Sequence, residues 1–484
     1  MFNIYNFGTS TYTDELIRMI AANAPLQIDY VKKLYEAFSP HEMLTGVRYY
    51  VGDTDVLKRE IYAYMNGNRV VDREATNKRL ASGFYKMLVD QKVSYLAGEP
   101  MSWASKTDNK QHLEIIENTI GKRWSSILPR LIKNSTNKGV EWLMPYVDEA
   151  GNFDIMTVGG EQVIPIYDSS KRFKMTAAIR FYRASENQVK LELWTENDVT
   201  YYEIIDNKIV IDVTHEINPA PHFTNAEGTE GKSWGKVPLI KYANNDEEIS
   251  DLKIIKPYID EYEELTSDAQ NTLSDMQSLI YVLKGYDGTS LSEFQENLKR
   301  YKAVKVDEDG GGIDTLAAEV PVQAYQAQVE LLRKGIITFG QGVDPAPEVI
   351  GNSPSGVALK NLYNSLDQKA SQQERIFEDA NRELLYFLQV YCEEANVGPF
   401  DATDITCSFN KLTITNEQEI INNLIQSVAG GIMSTSTAVT QHPYIQNGEE
   451  EMKKLEAQKN AELDAYGERY GSLTGDEDGE ETDN

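Results

Sequence analysis

The chain has few cysteines. Cys392 and Cys407 are the only two in 484 residues; they form no CxxC pair and cannot staple a disulfide framework, which points to a reducing compartment. Histidine is equally sparse. His41, His112, His215, His222 and His442 never stand four apart, so the helical zinc spacing is missing, and His215 and His222 flank the turn NPAPHF, which reads as a surface loop. No run approaches the roughly 18 continuous apolar residues of a membrane span. The opening MFNIYNFGTS has neither the basic nor the apolar region of a signal peptide. The expectation is a soluble protein made in the cytosol. Basic charge is short as well: 47 Lys and Arg against 76 Asp and Glu leave a net charge of −29. Such a surface cannot coat nucleic acid by neutralising phosphates. It does not exclude DNA, because an acidic wall repels a polyanion and keeps it from sticking, as a conduit requires; the same charge also serves plain solubility.

Catalytic signatures are missing too. AEGTEGKSW (226–234) ends in GKS, but Ala226 stands where a phosphate loop needs Gly, and the following WGKVPLIKY reads as a strand instead of a helix. No GxSxG occurs. The acidic runs NNDEE (244–248) and DEYEE (260–264) could hold divalent ions in a nuclease, yet on helices such runs form solvated faces. We expect no enzyme, no cofactor and no metal site.

What is present is globular: 41% hydrophobic residues, 10% aromatic, and 28 tyrosines that fit either subunit interfaces or Tyr-rich strands. The length allows about two to four domains. Helical spacing predicts TDELIRMIAAN and QIDYVKKLYEAF, split by Pro25, then helices through NKRLASGFYKMLVDQKVSYLAGEP, NKQHLEIIENTI and KRWSSILPRLIKNSTNKG. Between 139 and 245 the period becomes two, and EWLMPYV, EQVIPIYD, MTAAIRFYR, VKLELW, VTYYEII and KIVIDVT predict one meandering antiparallel sheet. Ile249 to Leu283 reads as one helical pattern around Pro257. A small α/β insert follows over 279–320, with SEFQENLKRY as its helix and KAVKV and IDTLAA as strands; Val322 to Phe339 is helical again. After the strand CSFNKLTIT come NEQEIINNLIQSVAG, STSTAVTQHPYI and a charged helix opened by Asn447 and Glu450 in a capping box. The tail GSLTGDEDGEETDN, with six acids and no base, is expected to be disordered.

Val357 to Val397 holds no Gly or Pro in 41 residues, a helix of about 60 Å. Its stripe of Leu359, Leu362, Leu366, Ala370, Gln373, Phe377, Ala380, Leu384, Leu388 and Tyr391 has one polar break, and packing beside copies of itself or running the length of an assembly would explain the length. Before it, FGQGVDPAPEVIGNSPSG is rich in breakers. Helix-to-helix connections usually take about 2–8 residues, so this longer one is expected to be functional.

The blocks GFYKMLVDQKVSYLAGEP (83–100), WGKVPLIKYANNDEEISDLKIIKPYIDEYEELTSDAQNTL (234–273), LIYVLKGYDG, LKRYKAVKVDEDG and SPSGVALKNLYNSLDQKASQQERIFEDANREL stand in an order that resembles the portal proteins of long-tailed (siphovirus-type) double-stranded DNA bacteriophages. They cover most of residues 40–400; the first 40 residues and the segment after about 410 match only in general character. Gly83 departs from the pattern, where Asn is expected. The resemblance implies an α+β subunit of a ring, twelve-fold in the virion, around a DNA channel. Its parts here would be a wing (1–248), a stem helix (249–278), an α/β clip (279–321), a second stem helix (322–340), a tunnel loop (341–355), a long spine helix returning to the wing (356–408), a crown (409–470) and the acidic tail (471–484). Gln341, Asp344, Glu348, Asn352, Ser353 and Ser355 would meet DNA in the channel, the neutral groups bonding weakly and the acids repelling, so that the duplex slides. Lys299, Arg300, Lys302, Asp307, Glu308 and Asp309 of the clip would dock partners. Those implied are further copies of the chain, the terminase packaging ATPase, a head–tail connector or adaptor, the major capsid and scaffolding proteins, and double-stranded DNA. The implied location is a capsid vertex of the virion, and the host cytoplasm during assembly. Two rival readings stay open: a packaging-associated nuclease using Asp260 or Glu264, and a capsid scaffold without a channel.

Overall fold

Alternating apolar residues build a six-stranded and a three-stranded sheet here, with four two-stranded pairs among the described residues, and helical stripes pack around them. The computed structural model describes residues 28–65, 67–73, 75–168, 174–186, 188–206, 208–225, 228–275, 280–284, 312–316, 322–345, 356–411, 417–445 and 447–471. The chain divides into two compact units, Met1–Val343 with Ser365–Leu412, and Asp344–Asn364 with Thr413–Asn484.

The first unit opens with α1 (Ile28–Ala37), α2 (His41–Tyr50), the hairpin β1 (Tyr62–Met65) and β2 (Asn68–Val71), and α3 (Phe84–Ala97). Then come β3 (Ser102–Ser105), α4 (Lys110–Ile116), a π-helical turn (Glu117–Gly121) and α5 (Lys122–Lys138). The strands β4 (Val140–Val147), β5 (Phe153–Gly159), β6 (Val163–Asp168), β7 (Lys174–Ser185), β8 (Gln188–Thr195), β9 (Asp198–Ile205) and β10 (Lys208–Ile211) follow, with short β11 (Ala220–Pro221), β12 (Phe223–Thr224) and β13 (Gly231–Lys232), then β14 (Ile240–Ala243). The expected single meander is in fact split. Strands β10-β9-β8-β7-β6 form one antiparallel sheet, while β4 pairs with β5 and with the distant β14 in another. Residues Glu141 to Met144 are buried on both faces: Leu143 packs in the cluster of α5 and Trp142 and Met144 in that of the β6–β10 sheet, so β4 is the central strand of a layer between them and not a continuation of the meander. Helix α1 covers the five-strand meander, placing Tyr35 5.0 Å from Phe181, ring edge to face.

Helix α6 (Leu252–Asp275) carries Pro257 inside its second turn; Leu283, expected to extend its stripe, stands in the strand β15 (Ile280–Lys284), and Met276 and Leu279 lie outside the described residues. β15 pairs antiparallel with β16 (Gly312–Leu316), and α7 (Val322–Gly340) returns alongside α6, with Tyr258 and Phe339 5.1 Å apart. Helix α8 (Gly356–Glu394) follows. From Leu366 onward its stripe is filled by its own chain: Phe377 meets Tyr242 at 4.8 Å, Phe387 meets Trp234 at 5.7 Å, and Leu384 and Leu388 are fully buried in the largest core cluster. The idea that its length serves packing beside copies of itself is therefore unnecessary over this part. Gln373 and Asn381 sit fully buried in the same stripe, held by Ser135 Oγ (2.9 Å) and the Tyr242 hydroxyl (2.9 Å). Strand β17 (Ile405–Ser408) closes the unit by pairing with β3.

Residues 78–82, expected to be helical, are extended. The reason is a ladder of acceptors on α6. The N–H groups of Ser82, Leu80 and Lys78 donate to Glu263 Oε1 (2.7 Å), Ser267 Oγ (3.0 Å) and Asn271 Oδ1 (2.7 Å). Residues four apart on a helix repeat every 6 Å or so, close to the two-residue repeat of an extended chain. Every second backbone donor of the strap therefore finds a side chain, and this tertiary match overrides helix propensity.

The second unit contains α9 (Glu417–Ala429), α10 (Thr435–Thr440) and α11 (Gly448–Gly471). Ser434 caps α10 by accepting from Thr437 N–H (3.2 Å), and Asn447 caps α11 by accepting from Glu450 N–H (3.1 Å). The segments TDELIRMIAAN, SEFQENLKRY and KAVKV, and the acidic tail beyond Gly471, lie outside the described residues.

Candidate functional site

The site is the end of α7, where the segment 341–345 begins. Gln341 turns the chain with φ of 53°, its N–H donating to Thr338 O (3.2 Å) while Gly342 N–H donates to Ile337 O (3.1 Å). This pair of bonds satisfies the last carbonyls of the helix and stops it. Glycine usually occupies that left-handed position, because a Cβ is strained there; here a glutamine does. The next residue is clamped. Val343 N–H donates to Gln91 Oε1 (2.9 Å), and Gln91 Nε2 donates to Val343 O (2.8 Å), so one side chain of α3 mimics a strand partner. Gly340 and Gly342 make the approach possible: a Cβ would meet Leu88 methyl carbons at 2.6 and 2.1 Å.

Beneath this clamp lies a buried ionic hub that ties four helices. Asp251 immediately precedes α6, and its carboxylate accepts from Lys369 Nζ of α8 (2.6 Å) and Asn244 Nδ2 (2.7 Å), with Lys92 Nζ of α3 at 3.6 Å. Lys92 donates to Asn244 Oδ1 (2.6 Å), and Lys369 also donates to Gly340 O at the end of α7 (2.8 Å). Helices α6 and α7 run antiparallel, so the positive end of one and the negative end of the other meet here. Asp251 answers the first and Lys369 the second. Burial by itself pushes the Asp251 carboxyl up, but Lys369, Lys92 and Asn244 overcome it and hold it at about 2. Burial pushes the Lys92 ammonium down to about 8, opposed by Asp251 and helped by the like charge of Lys369. The hub stores no reactive group. It ties the start of α6 and the end of α7 to α3 and α8.

The acidic run 260–264 proves to be partly structural, correcting the solvated-face expectation. Glu263 is fully buried and takes both the N–H (2.7 Å) and hydroxyl (2.8 Å) of Ser82; Asp260 accepts from the Tyr49 hydroxyl (2.5 Å) and Lys256 (2.6 Å). Among the described residues no group of three or more His, Cys, Asp or Glu side chains could hold a metal ion. His222 accepts from Trp234 N–H (3.1 Å) through Nδ1, and burial pushes its imidazole down to about 4. His112 Nδ1 meets Asp404 (2.9 Å), but Ser105 Oγ donates to that same carboxylate (2.6 Å) instead of to the imidazole, so the three are not arranged as a nucleophile with its base. In the GKS stretch, Lys232 pairs with Glu230 (3.2 Å) and Glu394 (3.0 Å) within a two-strand turn.

Of the loop residues singled out from sequence, Gln341 lies at this helix end and Asp344 begins the stretch after the clamp, half-buried. Glu348, Asn352, Ser353 and Ser355 lie outside the described residues, as do Lys299, Arg300, Lys302, Asp307, Glu308 and Asp309. Gln91, Lys92, Asn244, Asp251 and Lys369 went unnoticed in the sequence. Lys92 left a trace, since it interrupts the apolar stripe Tyr85, Leu88, Val89 and Leu96.

The family described as "Phage portal protein, SPP1 Gp6-like" matches residues 41–464. The portal protein of Bacillus phage SPP1 is 38% identical over 492 residues, spanning 99% of this chain and 96% of that protein. The portal protein of Clostridium phage phiCD119 (strain Clostridium difficile/United States/Govind/2006) is 28% identical over 458 residues, spanning 91% and 97%. Among solved structures, a chain of the neck of a native GTA particle computed with C12 symmetry overlaps 84% of this chain and 94% of its own length, with a TM-score of 0.42 and 11% identity.

Proposed function

The chain belongs to the SPP1 Gp6-like family of phage portal proteins, and from that portal function we propose its working parts. Copies of the chain form a ring at one capsid vertex, with a central channel for double-stranded DNA during packaging, retention and ejection. The near full-length match to the portal protein of phage SPP1 is the observation that carries this reading. The helix pair α6 and α7 serves as stem, the segment between them as clip, the sheets and their helices as wing, and the C-terminal helices as crown. The chain itself performs no catalysis: the terminase packaging ATPase hydrolyses ATP, a head–tail connector docks on the clip through Lys299, Arg300, Lys302, Asp307, Glu308 and Asp309, and capsid and scaffolding proteins surround the ring.

The loop after Val343 meets the duplex. Asn352, Ser353 and Ser355 offer neutral hydrogen bonds to phosphate, while Asp344 and Glu348 repel it, so contacts stay weak and DNA slides. The clamp at Gln91 and the hub at Asp251 hold the loop's first end against the force of moving DNA. Electron microscopy of the purified full chain, with its mass in solution, tests the ring. Rings with a central hole are expected; a closed oligomer without a hole overturns the channel. Asn352→Lys then tests the loop, with slowed DNA packaging expected and unchanged packaging counting against DNA contact there.

A further inference from the structure

The hairpin β1–β2 has almost no support from its own chain. All four residues of β2 are exposed, and Tyr64 is 79% exposed, the largest exposure of any aromatic ring among the described residues. Register places Tyr62 opposite Val71 and Tyr64 opposite Arg69, so these four side chains share one face. Arg69 lies over the Tyr62 ring at 3.9 Å, joining the face into one patch. A two-stranded hairpin is marginal in water by itself and needs a further surface to pack on.

Its base is anchored, which separates it from a frayed loop. Arg59 pairs with Asp268 of α6, and Asn77 Nδ2 donates to Arg59 O (3.1 Å), after which the strap of residues 78–82 lies along α6. Between the hairpin and the helix pair runs a groove of about 920 Å³, walled by Tyr62, Tyr64 and Arg69 on one side and Glu264, Thr272 and Tyr325 on the other. The groove floor includes Asn271, 93% buried, whose Nδ2 has no acceptor, although its Oδ1 holds Lys78. Charge says what fits. In a chain with 76 acids and 47 bases, the one charged residue on this face is Arg69, which makes no ion pair among the described residues. An aromatic face that carries an unpaired arginine, on an otherwise acidic protein, is complementary to another copy of that protein.

We propose that this hairpin is the arm by which one subunit grips the next, a neighbouring copy entering the groove and covering the Tyr62, Tyr64, Arg69 and Val71 face. The interface is heterologous, arm to groove, and such contacts close into rings. This inference rests on the ring reading above but assigns the contact to particular residues.

Tyr64→Ser and Arg69→Glu are exposed changes, and far-ultraviolet circular dichroism should find both variants folded like the wild type. In native mass spectrometry across a dilution series, each should move the ring's dissociation midpoint to at least about tenfold higher concentration, as aromatic and arginine anchors do. A photo-crosslinking benzoylphenylalanine at position 64 of the full chain should capture a second copy. Wild-type rings with unchanged variant midpoints, or crosslinks only within one chain, overturn the arm alone. A wild-type chain that stays monomeric at all concentrations overturns both the arm and the ring.

Discussion

Asp251 balances two lysines in a largely buried cluster, and its loss should be costly out of proportion to one hydrogen bond. Asp251→Asn leaves Lys92 and Lys369 buried without a counter-charge, and removing one member of such a set costs about 3–5 kcal/mol. Denaturant unfolding should show this as a lower midpoint at an unchanged slope. Gly342 is sensitive for a steric reason. Gly342→Ala drives a methyl to 2.1 Å from the Leu88 side chain, and relief by shifting packed neighbours costs about 1–3 kcal/mol. Gln341 should respond in the opposite direction. Its φ of 53° is unfavourable for any side chain, so Gln341→Gly is expected to stabilise by up to about 1 kcal/mol, and a thermal melt decides the sign. Gly83 reads similarly. It caps α3 without a side-chain bond, and a Cβ there meets open space. Gly83→Asn, restoring the residue the family pattern suggests, should add a few tenths of a kcal/mol.

At the scale of elements, the informative pairing is the strap on α6. Glu263, Ser267 and Asn271 hold three alternate backbone donors of residues 78–82. Removing one buried acceptor strands its donor at about 1–3 kcal/mol. Glu263→Ala should also increase hydrogen exchange at Ser82 and Leu80, while amides in the β7–β8 ladder stay protected; equal loosening of both would argue that the strap is not a separate unit. The strap shows why part of the fold was illegible. NKRLASG has helical composition, and only the acceptors of a helix 180 residues away make it extended. The meander β6 to β10, the helices α6 and α7 and the cap at Asn447 were legible because each expresses a local rule of period or capping. The placement of β4 was not, since β14, its partner, is about 100 residues distant and nothing in β4 names it.

For the whole molecule, the carboxylates set the acid limit. Asp251 and Asp212 both titrate at about 2 in the folded chain against an ordinary 3.8, and burial is opposed in each by lysine: Lys369 and Lys92 for the first, Lys190 for the second. A depressed folded value means stability that is fully present above the unfolded value and lost as pH falls through the folded one. Stability should therefore hold down to about pH 4 and then decline steeply toward pH 2. Lys92 runs the other way. Its value near 8 lies below the ordinary 10.5, so the unfolded chain binds the extra proton and this group's contribution improves between pH 8 and 10.5. Urea midpoints across pH 2–10 check both limbs, and Lys92→Met should abolish the alkaline one.

By itself the sequence determined the acidic, cysteine-poor character of the protein, the kinds and order of most of its elements, the long helix, and the portal resemblance that the family match bears out. Each of these is carried by composition, by a period of two or 3.6, or by blocks read in order. Only the tertiary structure decided which buried charges face one another, which strand leaves the meander, why residues 78–82 stay extended, and how Gln91 and Lys369 hold the end of α7. The reason is range. Periodicity tells a side chain which face it lies on, whereas Lys92, Asp251 and Lys369 find one another across 277 residues of chain, through the packing of helices whose own patterns say nothing about their neighbours.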